Sequence, residues 1–192
     1  MAEKKGVRDR LLDAAAEILE QQGLKSLNTN ALAMAAGVTP PTVYRHFENK
    51  EAVVVALADR FTVAETVWLE GALMLADRDQ SIDDLLDALI DAYWSAARRE
   101  KGIVALRGAM RVWPELREVE DASLSNSTNL LSEVLRPRLK PLKPDAIRRL
   151  SRQIVEMVCA TIDRCYPLPP KEQGWRISEL KSVVKAYAAS KS

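Results

Sequence analysis

The sequence predicts an all-α protein, a small three-helix head followed by a larger helical body, about nine helices in all. Three observations carry this. Apolar residues recur at helical spacing through most of the 192 residues. Runs of period-two alternation and β-hairpin turn pairs are absent. Glycines, prolines and Ser/Asn caps fall between the apolar stripes, where helices would start and stop.

Taken in order, Val7 to Gln22 places Leu11, Ala14, Ala15, Ile18 and Leu19 on one face, and Gly23 ends the run. Residues 1–6 read as an arm whose Lys4 and Lys5, with Arg8, could touch phosphate. Asn28 is a good cap for a short helix that carries Leu32, Ala35 and Ala36 inward, with Leu24 and Leu27 plugging the small core. Gly37 can take positive φ and reverse the chain. Thr39 caps the next run, Pro40 to Phe47. The two prolines stand in its first turn, where their missing N–H groups would have had no helical partner. Val43 and Phe47, four apart, point inward and leave Thr42, Tyr44, Arg45 and His46 outside. So short a helix has to be braced by others.

Asn49 caps a long helix to about Leu75, with Lys50 beside its positive end. Ala76 to Gln80 is a polar break, Ser81 caps a helix to about Arg99, and Gly102 precedes a short helix, Ile103 to Val112. Pro114 breaks the chain before a helix from Glu115 to Leu135. Residues 136–143 form a basic loop with two prolines, and Pro144 opens the next helix. Pro167, Pro169 and Pro170 stop that helix, and Gln173 to Ala189 makes the last one.

Within residues 28–51 the spacing N-T-x-A-L-A-x2-A-G-V-T-x2-T-V-Y-R-H-F-x-N-K-E resembles the helix-turn-helix of the TetR family of bacterial transcriptional regulators, ungapped from about Arg8 to Leu57. The resemblance implies a DNA-binding head at residues 1–50 and an effector-binding and dimerisation body at 51–192. It implies operator DNA as partner, a second copy of the chain, and a small-molecule effector that releases a repressor. It places Thr29, Asn30, Thr39, Pro40, Pro41, Thr42, Tyr44, Arg45, His46 and Lys50 at the DNA. Thr42 and Arg45 are the base readers, since a guanidinium can pair with guanine at two points; Tyr44, His46 and Lys50 are the phosphate contacts. Two departures matter. Asn30 stands where the family often has a basic residue, and Pro40 and Pro41 remove two donors, so shape and apolar contact carry more of the preference.

In the body, the large side chains Tyr93, Trp94, Arg107, Met110 and Trp113 are candidates for an effector pocket suited to a flat or anionic molecule, or for a packed core. The stripes Ile147, Leu150, Ile154, Met157, Val158, Thr161 and Leu180, Val183, Val184, Tyr187 are candidates for a four-helix dimer interface, with burial inside one subunit as the alternative.

Composition narrows the function classes. A net charge of +1 does not by itself advertise nucleic acid, and residues 1–50 hold seven basic against six acidic side chains. Their distribution does: most of the acids lie between Asp9 and Glu20, whereas Arg45 and Lys50 lie on the recognition side. His46 is the only histidine, and Cys159 and Cys165 stand six apart on different faces. No catalytic triad, metal cluster or CxxC pair can be built from them, so neither metal nor cofactor is expected and the chain is not read as an enzyme. With no apolar run behind MAEKKGVRDR, it reads as cytoplasmic and without a membrane span. The rival reading is an architectural or partner-dependent DNA-binding factor that takes no effector.

Overall fold

The computed structural model describes residues 6–74, 80–110 and 113–191. Among them are nine α-helices and no strand: α1 Val7–Gln22, α2 Thr29–Ala36, α3 Pro40–His46, α4 Lys50–Met74, α5 Ile82–Ala97, α6 Ile103–Met110, α7 Arg117–Leu135, α8 Pro144–Cys165 and α9 Pro170–Ala189. Lys4, Lys5 and most of the expected break at 76–80 lie outside the described residues. No described helix is long and apolar enough to cross a membrane.

The helices form two compact units. The first takes residues 1–63 together with 99–120, so the expected head at 1–50 packs with the start of α4 and with α6. Its core is Leu11, Leu12, Ala15, Ile18 and Leu19 of α1, with Leu27, Leu32, Val43 and Phe47. Gly23 (φ 75°) ends α1, and its amide donates to Leu19 O. The inward face of α2 is Leu32, Ala33 and Ala36; Ala35 is exposed, because it falls outside the arc that those three turn towards the core.

Two charged contacts fasten distant chain segments onto α1: Arg60 of α4 bonds Asp13 at 2.8 Å and Lys101 bonds Glu17 at 2.5 Å. Gly102, at φ 72°, lies directly on α1, where a Cβ would stand 2.8 Å from Ala16 O and Leu19 Cβ. Its amide donates to Glu20 Oε2 at 2.6 Å. Only glycine meets both demands at once.

The second unit takes residues 64–98 and 121–192. Its core joins Leu85, Leu86, Ile90 and Tyr93 of α5 to Leu131 and Leu135 of α7, Ile147, Leu150, Ile154 and Ile162 of α8, and Ile177, Leu180 and Val184 of α9. Ser81 caps α5 by accepting from Asp84 N. Lys185 to Asp87 (2.9 Å) and Lys181 to Asp91 (2.6 Å) fasten α9 along α5. Pro170 opens α9 instead of ending α8: it stands at the first helical position, where φ near −65° is suitable and no N–H is needed.

Candidate nucleic-acid interface and body cavities

α3 is a helix of seven residues held by its neighbours. Asn28 starts α2 by accepting from Ala31 N at 3.0 Å, and Gly37, in the left-handed region at φ 65°, turns the chain out of it. Val43 and Phe47 are buried beneath α3, as their spacing predicts, while Tyr44, Arg45 and His46 are exposed. Thr39 occupies the cap position without a side-chain bond to the backbone. Its hydroxyl instead lies 3.0 Å from that of Thr42, and Arg45 donates from Nη2 to Thr42 Oγ1 at 3.2 Å. A polar chain, Thr39–Thr42–Arg45, therefore runs along the outer face of α3 and holds the guanidinium over the first turn. Thr42 is half-buried and already engaged, which suits it to positioning Arg45.

Around this face, Thr29 and Lys50 line one narrow cleft with Asn28, Leu32, Val43, Phe47, Asn49 and Val53. Asn49 caps α4 by accepting from Ala52 N at 2.8 Å, so the N-termini of α2 and α4 open on the same cleft. Free helix-start amides with a lysine beside them favour phosphate. Among the described residues the carboxylate neighbour of Lys50 Nζ is the distant Glu51, at 3.9 Å. Asn30, Pro40 and Pro41 are exposed on the same small head. Arg8 lies in α1, as the expected helix has it, with its guanidinium 5.4 Å from the Phe47 ring centre.

The five candidate pocket residues divide between the two units. Tyr93 and Trp94 belong to the second unit; Arg107, Met110 and Trp113 belong to the first. Arg107 is buried against the Phe61 ring, 4.9 Å from its centre, and Met110 is core. Trp94 packs on Tyr166 and Arg98. The second unit does hold a cavity of about 70 Å³, walled by Trp68, Leu86, Leu89, Ile90, Tyr93, Leu131, Ile154, Val158 and Cys159, with Glu65 and Ser127 as its polar members. Trp68 and Tyr93 meet edge to face at 5.7 Å, the Tyr93 hydroxyl is 3.8 Å from Cys159 Sγ, and Glu65 Oε2 accepts from Ser123 at 3.0 Å. Among the described residues no basic side chain lines it. Trp68 is not among the candidates from sequence, because it lies on the long helix that Asn49 caps, away from the cluster of large side chains at 93–113.

The candidate interface stripes also divide. Ile147, Leu150, Ile154, Leu180 and Val184 are buried in the chain's own core and are unavailable to a second copy. Met157, Thr161 and Tyr187 are half-buried, and half-buried Val158 faces the cavity. The outside of α9 carries Trp175 (60% exposed) and Val183 (53%), eight positions apart with exposed Glu179 between them, and Ser178, Ser182 and Ala186 beside them.

Comparison with known proteins agrees with this geometry. Residues 11–57 match the family described as bacterial regulatory proteins, tetR family, and residues 81–187, more than half of the chain, match the tetracyclin repressor-like C-terminal domain. The HTH-type transcriptional regulator YvdT of Bacillus subtilis is 28% identical over 101 residues, 53% of this chain and 50% of YvdT. The class D tetracycline repressor of Escherichia coli is 43% identical over 51 residues, 27% of this chain and 23% of the repressor. The chain thus spans about half the length of the first relative and a quarter of the second. Among solved structures, a TetR-family transcriptional regulator from Streptomyces coelicolor superposes with a TM-score of 0.72 at 26% identity, covering 96% of this chain and 99% of that one. The fatty acid degradation regulator FadR from Bacillus halodurans shares the fold, with a TM-score of 0.66 at 21% identity, covering 96% and 94%.

Proposed function

Because the chain belongs to the TetR family, and is thereby a transcriptional regulator with a DNA-binding helix-turn-helix, we propose that it acts as a homodimeric repressor released from its operator by a small molecule. The observation that carries the DNA half is the Thr39–Thr42–Arg45 chain on the exposed face of α3. A guanidinium held in advance loses less freedom on meeting a guanine edge. Lys50, Thr29 and the two helix N-termini at their cleft supply phosphate contacts, which set register. Tyr44 and His46 flank them on the same exposed side.

The dimer half rests on the outer face of α9. Trp175 and Val183 are large apolar side chains in water, and Ser178, Ser182 and Ala186 beside them leave room for a second helix, with the charged Glu179 between the two. A two-fold pair would present two α3 helices to half-sites roughly 34–36 Å apart. The effector half rests on the cavity between Trp68 and Tyr93, whose walls suit an uncharged, apolar molecule and disfavour a simple carboxylate. Occupancy would bias α4, which runs unbroken from Lys50 at the head to the cavity wall, between two settings. A second reading has an observation of its own: at about 70 Å³ the cavity is small for an effector, which favours a regulator that works through partners or DNA shape.

The test is fluorescence anisotropy of the purified chain on fragments of its own upstream DNA, with random DNA as competitor, at a stated salt concentration. Competitor-resistant binding that Arg45→Ala abolishes supports the reading. Binding that is indifferent to Arg45 and to competitor would sink it. A screen of apolar compounds on the same complex decides between the two readings of the cavity.

A further inference from the structure

The chain as a whole has a net charge of +1, yet residues 136–152 hold seven basic side chains and one acid, Asp145. Part of this charge is spent on neighbours: Arg136 bonds Glu133 at 2.8 Å, Arg138 donates to Val134 O, and Arg152 bonds Glu156 at 2.5 Å. Arg148 and Arg149 differ. Among the described residues neither makes an ion pair, although Asp145 stands three and four positions earlier on the same helix, where such pairs ordinarily form.

These arginines line a groove. Arg148, Arg149 and Arg152 with Asp145 from α8, and Ser125 with Thr128 from α7, border an open groove of about 350 Å³, within the size range of small-molecule sites. The lining carries Arg148 and Arg149 without a carboxylate partner, Arg152 paired with Glu156, and one acid, Asp145. Thr128 is buried and its hydroxyl proton is committed to Leu124 O, so it only walls the groove, while Ser125 contributes a hydroxyl donor. Guanidinium groups grip phosphate and carboxylate through paired N–H donors. Two unneutralised guanidiniums on adjacent residues, with a third completing the groove, can bind anionic groups separated by a few ångströms. A lone halide would satisfy only one of them.

We infer that the α7–α8 groove is a binding site for a small polyanion carrying two or more phosphate or carboxylate groups. It is chemically distinct from the apolar cavity, which has no basic lining residue among the described ones, and it does not depend on what that cavity takes. An acidic metabolite sensed by this regulator would therefore act at the outer groove.

The experiment is isothermal titration of the full-length protein with inorganic tripolyphosphate and, separately, with citrate, at constant ionic strength. The comparison proteins are the double variant Arg148→Ala/Arg149→Ala and the control Arg136→Ala, whose arginine already has a carboxylate partner. The expected result is saturable binding of one anion per chain, weakened about tenfold or more in the double variant and unchanged in the control. Both replaced arginines are exposed, and an unshifted melting temperature confirms that the double variant is folded. Tripolyphosphate without citrate assigns phosphate as the ligand group, and citrate without tripolyphosphate assigns carboxylate. The inference is overturned by no saturable binding of either anion, by equal weakening in Arg136→Ala, or by a double variant that binds as the parent does. It is also overturned if the double variant loses only non-specific affinity for duplex DNA, because the groove would then see a nucleic-acid backbone.

Discussion

The outer face of α3 and the cavity of the second unit are built in opposite ways. On α3, the residues that matter lie within eight positions: Thr39, Thr42 and Arg45 are joined by hydrogen bonds, with Val43 and Phe47 anchoring the helix from below. The cavity draws Trp68 from α4, Tyr93 from α5, Leu131 from α7 and Val158 with Cys159 from α8, a span of more than ninety residues. A face made by one helix is written in local spacing. A cavity exists only where several helices fail to fill the space between them, and no stretch of sequence encodes that failure. Changes on α3 should therefore alter function with little effect on stability, whereas changes inside either unit should affect both.

The largest expected effect tests whether the first unit is as local as α3 suggests. Gly102 is 65 residues beyond Gly37, yet it packs against the α1 backbone with a positive φ and no room for a Cβ. Gly102→Ala is expected to cost ~2–4 kcal/mol from backbone strain and overpacking together. For a chain of this size each kcal/mol lowers the melting temperature by about 2–4 °C. A melting curve measures it, and an unchanged one would mean that the head is independent of residues 99–120.

Next is Arg45→Ala, for which the expected loss is about 1–3 kcal/mol of operator affinity, with binding to random DNA and the melting temperature nearly unchanged. Anisotropy at fixed salt reads both affinities. A loss of the same size on random DNA would reduce Arg45 to a phosphate contact.

These two residues show what the sequence could and could not tell. The head was legible because its devices are local: Asn28 and Asn49 cap helices through their own side chains, Gly37 turns, and Pro40 sits where a helix begins. Gly102 was legible as punctuation but not as a contact, because its partner Ala16 lies far away in sequence. The body misled for one reason. An amphipathic stripe reports that a face is buried and not what buries it, so Ile147, Leu150, Ile154, Leu180 and Val184 read as an interface while lying in the chain's own core. Trp175, exposed on α9, interrupts no stripe and so attracted no notice. Arg107 looked like a ligand-binding cation, but its guanidinium is stacked on Phe61 inside the first unit.

Filling the cavity sharpens the other side of the comparison. Val158→Phe puts a ring into about 70 Å³ of apolar space beside Trp68 and Tyr93. The expected outcome is a stability change of about 1 kcal/mol in either direction, unaltered operator binding without ligand, and at least about tenfold weaker binding of any apolar ligand found by tryptophan fluorescence. Unimpaired ligand binding would place the effector elsewhere in the molecule.

Thr42→Val separates positioning from reading. It keeps the shape of the side chain and removes the oxygen shared by Thr39 and Arg45. The expected cost is about 0.5–1.5 kcal/mol of operator affinity, less than for Arg45→Ala. In the double variant Thr42→Val/Arg45→Ala the two losses should not add, because the threonine acts through the arginine. Full additivity would make Thr42 a base reader in its own right.

The smallest effect belongs to the contact that fastens residue 101 to α1. The Lys101 ammonium bonded to Glu17 holds that carboxyl below its ordinary range, and Glu17 in turn raises the lysine. The signs set the pH window. A lowered carboxyl pKa contributes stability above the unfolded carboxylate value, about 4.5, and loses it as pH falls through the folded value. A raised lysine pKa contributes below the unfolded value, about 10.5, and loses it as pH rises through the folded one. The pair therefore acts across the whole neutral range and should give no pH dependence between roughly 5.5 and 9.5. Both groups are exposed to solvent, so the contribution is small and screened by salt. Melting curves of the parent and Glu17→Gln at pH 7 in low salt should differ slightly, and the gap should close below pH 4 and in 1 M salt. Gly102 keeps its bond to Glu20 and its seat on α1 in that variant, so a drop as large as that of Gly102→Ala would mean that charge, and not the close backbone approach, holds α6 onto the head.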